Sequence, residues 1–117
     1  MTASDAVPAS SGDLPIVLRL QDPAEDGYQE RLRVTSMSVG RFTATPGYDD
    51  QQQPHAEDEV YYVLAGHAVL EIDGRRHAVA QGTLAYVPRG VEHRFVDVSS
   101  DLDVLVVFAP AENVVRG

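Results

Sequence analysis

The sequence predicts an all-β protein. Its apolar residues fall in short segments rich in Val, Leu, Ile, Tyr, Phe and Thr, and turn-forming pairs such as Asp73-Gly74 and Gln81-Gly82 separate these segments. No window shows the periodicity of an amphipathic helix, in which apolar residues recur about every 3.6 positions. Many short strands at this spacing are typical of a sandwich or a barrel.

Nine strands are predicted from these segments. They span residues 16–20, 31–38, 40–45, 59–65, 67–72, 75–80, 83–87, 93–98 and 102–109. The clearest hairpin joins 67–72 to 75–80, because Asp73 and Gly74 can both adopt the positive φ angles of a type I′ turn.

One domain accounts for the chain. At 117 residues, 44% of them hydrophobic, the chain can bury about 65% of its unfolded surface, which leaves no room for a second core. Residues 1–14 are small, polar and rich in Pro and Ser, and are predicted to form a flexible N-terminal arm. Residues 15–110 then form the folded domain, and residues 111–117 form a C-terminal tail.

The net charge of −9 and the pI near 4.6 limit the partners that we expect. Nucleic acids are bound largely by Lys and Arg side chains that neutralise phosphates, so no nucleic-acid partner is expected. The N-terminal residues lack the basic start and the apolar run of a signal peptide, and no segment approaches the ~20 apolar residues of a membrane span. We therefore expect a cytoplasmic protein with no membrane partner.

Two missing residue types limit the possible chemistry. All nine positively charged side chains are arginine, which excludes a lysine Schiff base and a lysine general base. The chain has no cysteine, which excludes disulfides, a thiolate nucleophile and a Cys-rich zinc site. Any bound metal would therefore be held by histidine, carboxylate or amide oxygen.

Three side chains are candidates for such a metal site. Period-2 alternation in strand 59–65 places Glu59 on the same face as Tyr61 and Val63. A carboxylate on a partly apolar face is costly unless it is paired, and a cation is a suitable partner. His55 lies on the preceding loop, and His93 opens another strand. Two histidines and one carboxylate form a set that leaves coordination positions open on a transition metal. The alternative is that "QQQPHAEDE" is an ordinary solvated loop.

The first of two sequence motifs surrounds these candidates. Gly47 is followed by five residues, then Gln53-x-His55, three residues, Glu59, six residues and Gly66. Glu57 is an alternative carboxylate, but the spacing to Gly66 favours Glu59.

The second motif lies farther along the chain. Gly82 is followed by five residues, then Pro88-x-Gly90, two residues, His93, three residues and Asp97. Together the two motifs resemble those of the cupin family. The first family motif has His where this chain has Gln53, and the second ends in Asn where this chain has Asp97.

The resemblance implies a cupin jelly roll, a double-stranded β-helix barrel with a metal in its lumen. It also implies that residues 15–110 are a cupin domain and that Gln53, His55, Glu59 and His93 occupy the ligand positions. A Gln-x-His pair holds zinc in the related phosphomannose isomerases, so Gln53 is compatible with a ligand role. We expect Gln51 and Gln52 to be solvated. Tyr61 shares the face of Glu59, and these two residues are the candidate catalytic groups.

The function expected from this resemblance is that of a metal-dependent enzyme acting on a small-molecule substrate. The simplest form is a non-haem oxygenase that acts on a small oxygen-bearing metabolite and uses a divalent transition metal. Fe(II) is favoured, while Zn, Mn or Ni in the same cage would instead polarise a carbonyl or a bound water. The alternatives are a non-catalytic binding module and a metal-dependent isomerase or lyase.

A homodimer is also predicted. Strands 59–65 and 102–109 are apolar on both faces, whereas a sheet of one barrel has only one inward face. Large exposed apolar patches are unusual in monomers. A second subunit would cover the outer face, and cupins that resemble this chain commonly pair in this way.

Overall fold

A computed structural model describes residues 14–112, and all strands in this range join one antiparallel sheet. The strands are β1 (Gly27–Arg33), β2 (Ser38–Ala44), β3 (Asp58–Ile72), β4 (Arg75–Ala80), β5 (Leu84–Val87) and β6 (His93–Ala109). Their order is β1-β2-β6-β3-β4, and β5 pairs with β3. This range contains no helix, so none that could cross a membrane, and the all-β prediction is confirmed.

Two of the predicted breaks between strands are bends inside longer strands. Segments 59–65 and 67–72 merge into β3, and segments 93–98 and 102–109 merge into β6. Segment 31–38 instead spans the end of β1, a turn and the start of β2. Residues 16–20 form no strand, so that prediction is wrong. Their apolar composition favours a strand, but a strand needs a partner edge, and none of the described strands pairs with them.

Gly66 is the bend in β3. Its φ angle is +92°, and a Cβ at this position would lie 2.2 Å from the carbonyl oxygen of Asp101, so only glycine fits. The pairing of β3 with β6 shifts register around this residue. The shift changes which side chains point inward: Glu59 and Tyr61 are buried before it, and Ala68 and Leu70 after it.

Asp97 is the corresponding bend in β6, with a φ angle of +50°. Phe95 is buried before it and Val98 after it, so the inward parity changes here as well. Asp and Asn adopt left-handed backbone conformations more readily than most residues. This explains how Asp97 can occupy the position where the second motif of the cupin family has Asn.

The inward side chains of the bent strands form one core. It consists of Phe42, Ala44, Tyr61, Val63, Ala68, Leu70, Val79, Val87, Phe95, Val98, Leu102, Val104, Val106 and Phe108. Most of these residues lie on β3 and β6, the two strands that bend. The core therefore encloses the side of β3 from which Glu59 projects.

The predicted arm and tail lie mostly outside the described residues, which exclude residues 1–13 and 113–117. At the end of the described range, the backbone N–H of Glu112 donates to Ser38 Oγ at 2.8 Å. Ser38 is fully buried, so this bond fixes the start of the predicted tail against β2. That contact carries the Glu112 side chain to the lumen.

Candidate metal centre

His55, Glu59 and His93 converge in the lumen. One ligand atom from each lies within 4.8 Å of the others. Glu59 Oε1 is 2.9 Å from His93 Nε2 and 4.0 Å from His55 Nε2. Glu59 is 2% exposed and His93 is 6% exposed, so both are shielded from water.

The bends in β3 and β6 produce this convergence. Glu59 pairs with Phe108 near the end of β6, whereas His93 pairs with Ile72 at the opposite end of β3. Along a flat sheet these two positions would lie a whole strand apart. Their side chains meet because the two halves of the bent strand pair face each other across the lumen.

The neutral form of His93 has one possible tautomer. Its Nδ1 lies 2.8 Å from the carbonyl oxygen of Val91, which can only accept, so Nδ1 carries the proton. Nε2, which lies 2.9 Å from Glu59 Oε1, then carries no proton and can act as a ligand atom. A histidine that ligates a metal is oriented in this way by a partner on its other nitrogen.

His55 is oriented by the same kind of contact. Its Nδ1 lies 3.2 Å from Glu112 Oε2, and its Nε2 is directed towards the centre. The backbone is also fixed, because Gly90 N–H donates to the His55 carbonyl at 2.7 Å. The glycine turn of the second motif therefore holds the histidine of the first motif in place.

Two buried atoms at the centre lack hydrogen bonds among the described residues. They are Glu59 Oε1 and His93 Nε2, which are 2.9 Å apart but do not have hydrogen-bond geometry. Buried polar atoms without partners are rare and need an explanation. A divalent transition metal held by both atoms would provide one, and two imidazoles with a carboxylate suit such a metal.

The charge of Glu59 also acts on His93. Burial lowers the pKa of His93, but Glu59 and the Val91 carbonyl raise it, and the net shift is upward. Without a metal, the site therefore favours a proton on His93. A cation is favoured at this centre in either case.

Gln52 approaches the centre from the loop before β3. Its Oε1 lies 3.3 Å from His55 Nε2 and accepts a hydrogen bond of 3.3 Å from the Tyr61 hydroxyl. Its Nε2 donates to Asp50 Oδ2 at 2.7 Å, which turns the amide oxygen towards the histidine. Asp50 is buried and also accepts from Phe95 N–H at 2.8 Å.

Gln53 occupies a different position from the one that the motif implies. It is exposed and lines a second depression, which it shares with Gln52 and His93, and it is not among the residues that line the lumen. The expectation that Gln52 is solvated is not met, because Asp50 draws Gln52 inward. Motif spacing cannot show this, since the Phe95 N–H that holds Asp50 lies 45 residues farther along the chain.

Tyr61 lies beside the three candidate ligands. It is 1% exposed, and burial together with the nearby Glu59 carboxylate raises its pKa well above the ordinary value. The hydroxyl therefore keeps its proton and acts as a hydrogen-bond donor.

The lumen is a cavity of about 420 Å³. Glu59, Tyr61 and His55 line it, together with aromatic side chains from β1, β2 and β6. Glu112 also lines it, and the sequence patterns gave no signal for Glu112 because it lies outside both motifs. His67 and His77, which lie outside the motif ligand positions, are exposed on the surface.

Comparisons with known proteins agree with this architecture. The cupin domain family matches residues 40–109 of this chain. An uncharacterized protein from Streptomyces coelicolor is 45% identical over 97 residues, which cover 82% of this chain and 92% of that protein.

Solved structures show the same fold. An RmlC-like cupin with a double-stranded β-helix fold from Methanocaldococcus jannaschii aligns with a TM-score of 0.71 at 17% identity, covering 85% of this chain and 94% of that one. A Cupin 2 conserved barrel domain protein from Salinispora arenicola aligns with a TM-score of 0.68 at 22% identity, covering 81% and 89%. The jelly-roll prediction is confirmed, and this chain belongs to the cupin domain family.

Proposed function

We propose that this chain binds one divalent transition metal at His55, Glu59 and His93 and acts on a small molecule that enters the lumen. One observation carries the proposal. The Nδ1 atoms of both histidines face oxygen partners, Val91 and Glu112, which leaves both Nε2 atoms available beside the buried Glu59 carboxylate. Three converging lone-pair donors repel one another unless a cation lies between them.

The leading form of this function is a non-haem oxygenase that acts on a small oxygen-bearing metabolite, with Fe(II) as the favoured metal. When bound, Fe(II) would supply reactivity with O2, whereas Zn, Mn or Ni would supply polarisation of a carbonyl or of a water. Three protein ligands leave coordination positions for a substrate. We assign a fourth position to the Gln52 amide oxygen, because Asp50 directs that oxygen at the His55 ring.

The chain itself supplies binding, orientation and a proton donor. Tyr61 keeps its proton and can donate a hydrogen bond to an oxygen of the substrate. Burial of Glu59 and His93 excludes water from the far side of the centre. The Glu112 carboxylate holds the His55 ring in the tautomer that a metal requires.

Tyr61 also favours a second candidate function, a metal-dependent isomerase or lyase that does not use O2. A protonated phenol beside a carbonyl oxygen can stabilise the negative charge that develops on that oxygen during enolisation. Zn, Mn or Ni in the same cage would suit this candidate, because each can polarise a carbonyl.

Elemental analysis of protein purified without a histidine tag tests these alternatives. Stoichiometric iron supports the oxygenase, and stoichiometric zinc supports the isomerase or lyase. Protein that binds none of the four metals, even after they are added, would contradict the proposal and leave a non-catalytic binding module.

Turnover is then tested on chelating compounds with two neighbouring oxygens, such as enediols and β-diketones. Fe(II)-loaded protein is mixed with them anaerobically, and O2 consumption is followed after air is admitted. A Tyr61→Phe variant should retain the metal and bind these compounds but react more slowly. The oxygenase assignment fails if O2 uptake does not exceed that of free Fe(II).

A further inference from the structure

The charges on the wall of the lumen are of one sign, negative. Besides Glu59, three carboxylates line the cavity: Asp49, Asp50 and Glu112. No arginine does so among the residues that the structure describes. A cavity lined by charges of one sign focuses their potential and selects the charge of whatever enters.

Two of these three carboxylates, Asp50 and Glu112, are held in place. Asp50 is 4% exposed and accepts hydrogen bonds from Phe95 N–H and the Gln52 amide. Glu112 faces His55 Nδ1, and its backbone is bound to Ser38 Oγ. Neither side chain is a mobile surface acid, so their part of the negative potential keeps a fixed position in the cavity.

Nearby arginines are directed elsewhere. Arg89 contacts Asp58 and Arg94 contacts Glu71, both on the outer surface. Arg33 reaches the rim through the Glu112 carbonyl, but its guanidinium is paired with Glu30. None of these three arginines is thus positioned to bind a carboxylate or phosphate in the lumen.

Aromatic rings supply much of the remaining lining. The Tyr28 ring lies across Gly40, where a Cβ would come within 2.5 Å of it, and packs edge-on against Phe108 with centroids 5.6 Å apart. Phe42 and Tyr48 pack edge-on at 5.8 Å. The face of an aromatic ring carries negative electrostatic potential and attracts cations. The Tyr28 hydroxyl is buried without a hydrogen bond inside the described chain, which leaves a donor for a ligand.

A divalent metal at the centre does not make the net charge of the cavity lining positive. Two positive charges are added, but Glu59 offsets one of them, and three further carboxylates remain around the same cavity. The net charge of the lining therefore stays negative when a divalent metal is bound.

We propose that the lumen accepts small molecules that are neutral or positively charged, with an apolar body of about the size of one aromatic ring, and discriminates against carboxylates and phosphates. The proposal rests on the proposed function, because the metal is taken to hold the substrate oxygens. It adds the charge class of the substrate, with the ammonium form preferred.

Three catechols that differ in one substituent test this selectivity. They are 3,4-dihydroxybenzylamine, 4-methylcatechol and 3,4-dihydroxybenzoate, which share one chelating group and carry positive, neutral and negative charge. Calorimetry with zinc-loaded protein should give the tightest binding for the amine and at least tenfold weaker binding for the benzoate. The proposal is overturned if the benzoate binds as tightly as the amine, or if none of the three binds while zinc is retained.

Two matched variants identify the source of the selectivity. Glu112→Gln keeps the shape and an oxygen for His55 Nδ1 but removes one charge, and should reduce the amine-to-benzoate affinity ratio by about threefold or more. Glu71→Gln removes a charge from the outer surface and should leave the ratio unchanged. An unchanged ratio in Glu112→Gln would refute the acidic wall as its source.

Zinc stoichiometry, measured first, separates this test from that of the proposed function. If zinc does not bind, charge selectivity is measured with benzylammonium, benzyl alcohol and benzoate, which do not chelate, and the proposed function fails only if Fe(II), Mn and Ni do not bind either. Chemical-shift changes at lumen residues should then follow the same order of affinity. Equal or stronger binding of benzoate overturns the charge proposal on its own.

Discussion

The inner and outer faces of the β3–β6 pair differ in what covers them. On the inner face, Glu59 and Tyr61 are almost completely buried and contact other side chains of the same chain. On the outer face, Tyr62 is 42% exposed, and the neighbouring β5 residues Leu84 and Tyr86 are 70% and 58% exposed. One strand pair thus encloses polar groups on one side and leaves apolar groups in water on the other.

The two faces therefore differ in the kind of contact that would stabilise them. On the inner face of this strand pair, the buried polar atoms without a hydrogen bond among residues 14–112 are Glu59 Oε1 and His93 Nε2, both at the centre, where a cation fits. The apolar groups of the outer face gain free energy only by contact with another apolar surface, at about 25 cal/mol for each Å² removed from water. Residues 14–18 add further exposed apolar surface, with Leu14 at 79% and Val17 at 99%.

The largest expected effect is on the inner face. His93→Ala removes an Nε2 that lies 2.9 Å from Glu59, so metal affinity should fall by at least about 100-fold, and stoichiometric metal should be lost. Metal content after dialysis, measured with circular dichroism of the same sample, separates metal loss from unfolding.

His77→Ala is the matched control. His77 is exposed on β4 and lies outside the group of candidate ligands, so its removal should leave metal content unchanged. A His93→Ala protein that keeps its metal would show that this ligand set is incorrect.

The outer face should give the next largest effect. We expect a homodimer, because a second copy of this face is a partner of matching chemistry, and stable interfaces bury about 800 Å² on each side. Light scattering at micromolar concentration should give twice the 12.7 kDa of one chain.

Charges placed on this face should break the pairing. Leu84→Asp combined with Tyr86→Asp should weaken self-association by at least about 100-fold, because unpaired charges would be buried at the interface. Metal content should not change, since both side chains point away from the lumen. A monomer mass for the unaltered protein would refute the dimer.

The fold class was predictable from local patterns, whereas the bends were not. Alternating apolar residues and turn pairs are local signals, and they identified β4 at its observed boundaries, Arg75–Ala80. The continuity of β3 through Gly66 depends on a close approach to Asp101, a contact made only after folding. From the sequence alone, a glycine can indicate either a turn between two strands or a bulge within one strand.

The candidate site also has a part that local patterns predict and a part that depends on contacts made after folding. His55, Glu59 and His93 were identified from motif spacing, and the structure brings them together. The position of Gln52 depends on Asp50, which is itself held by the Phe95 N–H, and the position of Glu112 depends on Ser38 at the start of β2. The Phe95 and Ser38 contacts join residues far apart in the sequence, so no local pattern encodes them. Motif reasoning thus found the candidate ligands and missed the residues that orient them.

The pH dependence of metal binding provides a smaller, graded test of the inner face. Without a metal, burial lowers the pKa of His93, but Glu59 and the Val91 carbonyl raise it more, so it lies above the ordinary value of about 6.5. A metal requires the neutral ring, and protons compete as the pH falls through this raised pKa. Affinity should be constant at higher pH and fall by at least about tenfold per pH unit below this raised pKa, starting above pH 6.5. Titration by competition with a chelator at fixed ionic strength measures this, and an onset below pH 6 would contradict the assigned environment.

The smallest expected effect distinguishes two adjacent glutamines. Gln52 Oε1 faces the centre and is held by Asp50, whereas Gln53 is exposed. Gln52→Ala should therefore weaken metal binding by about tenfold, the lower end of the range for groups that support a metal site. Gln53→Ala should change it by less than twofold.

The sequence motif and the structure give opposite expectations for this pair, so the comparison is decisive. If Gln53→Ala loses the metal and Gln52→Ala keeps it, the loop before β3 places Gln53 at the motif position once metal is bound. A further variant, Asp50→Ala, should reproduce part of the Gln52→Ala loss, because the amide oxygen is then no longer oriented. Metal affinities of the three variants, measured by the same chelator competition, rank these contributions directly.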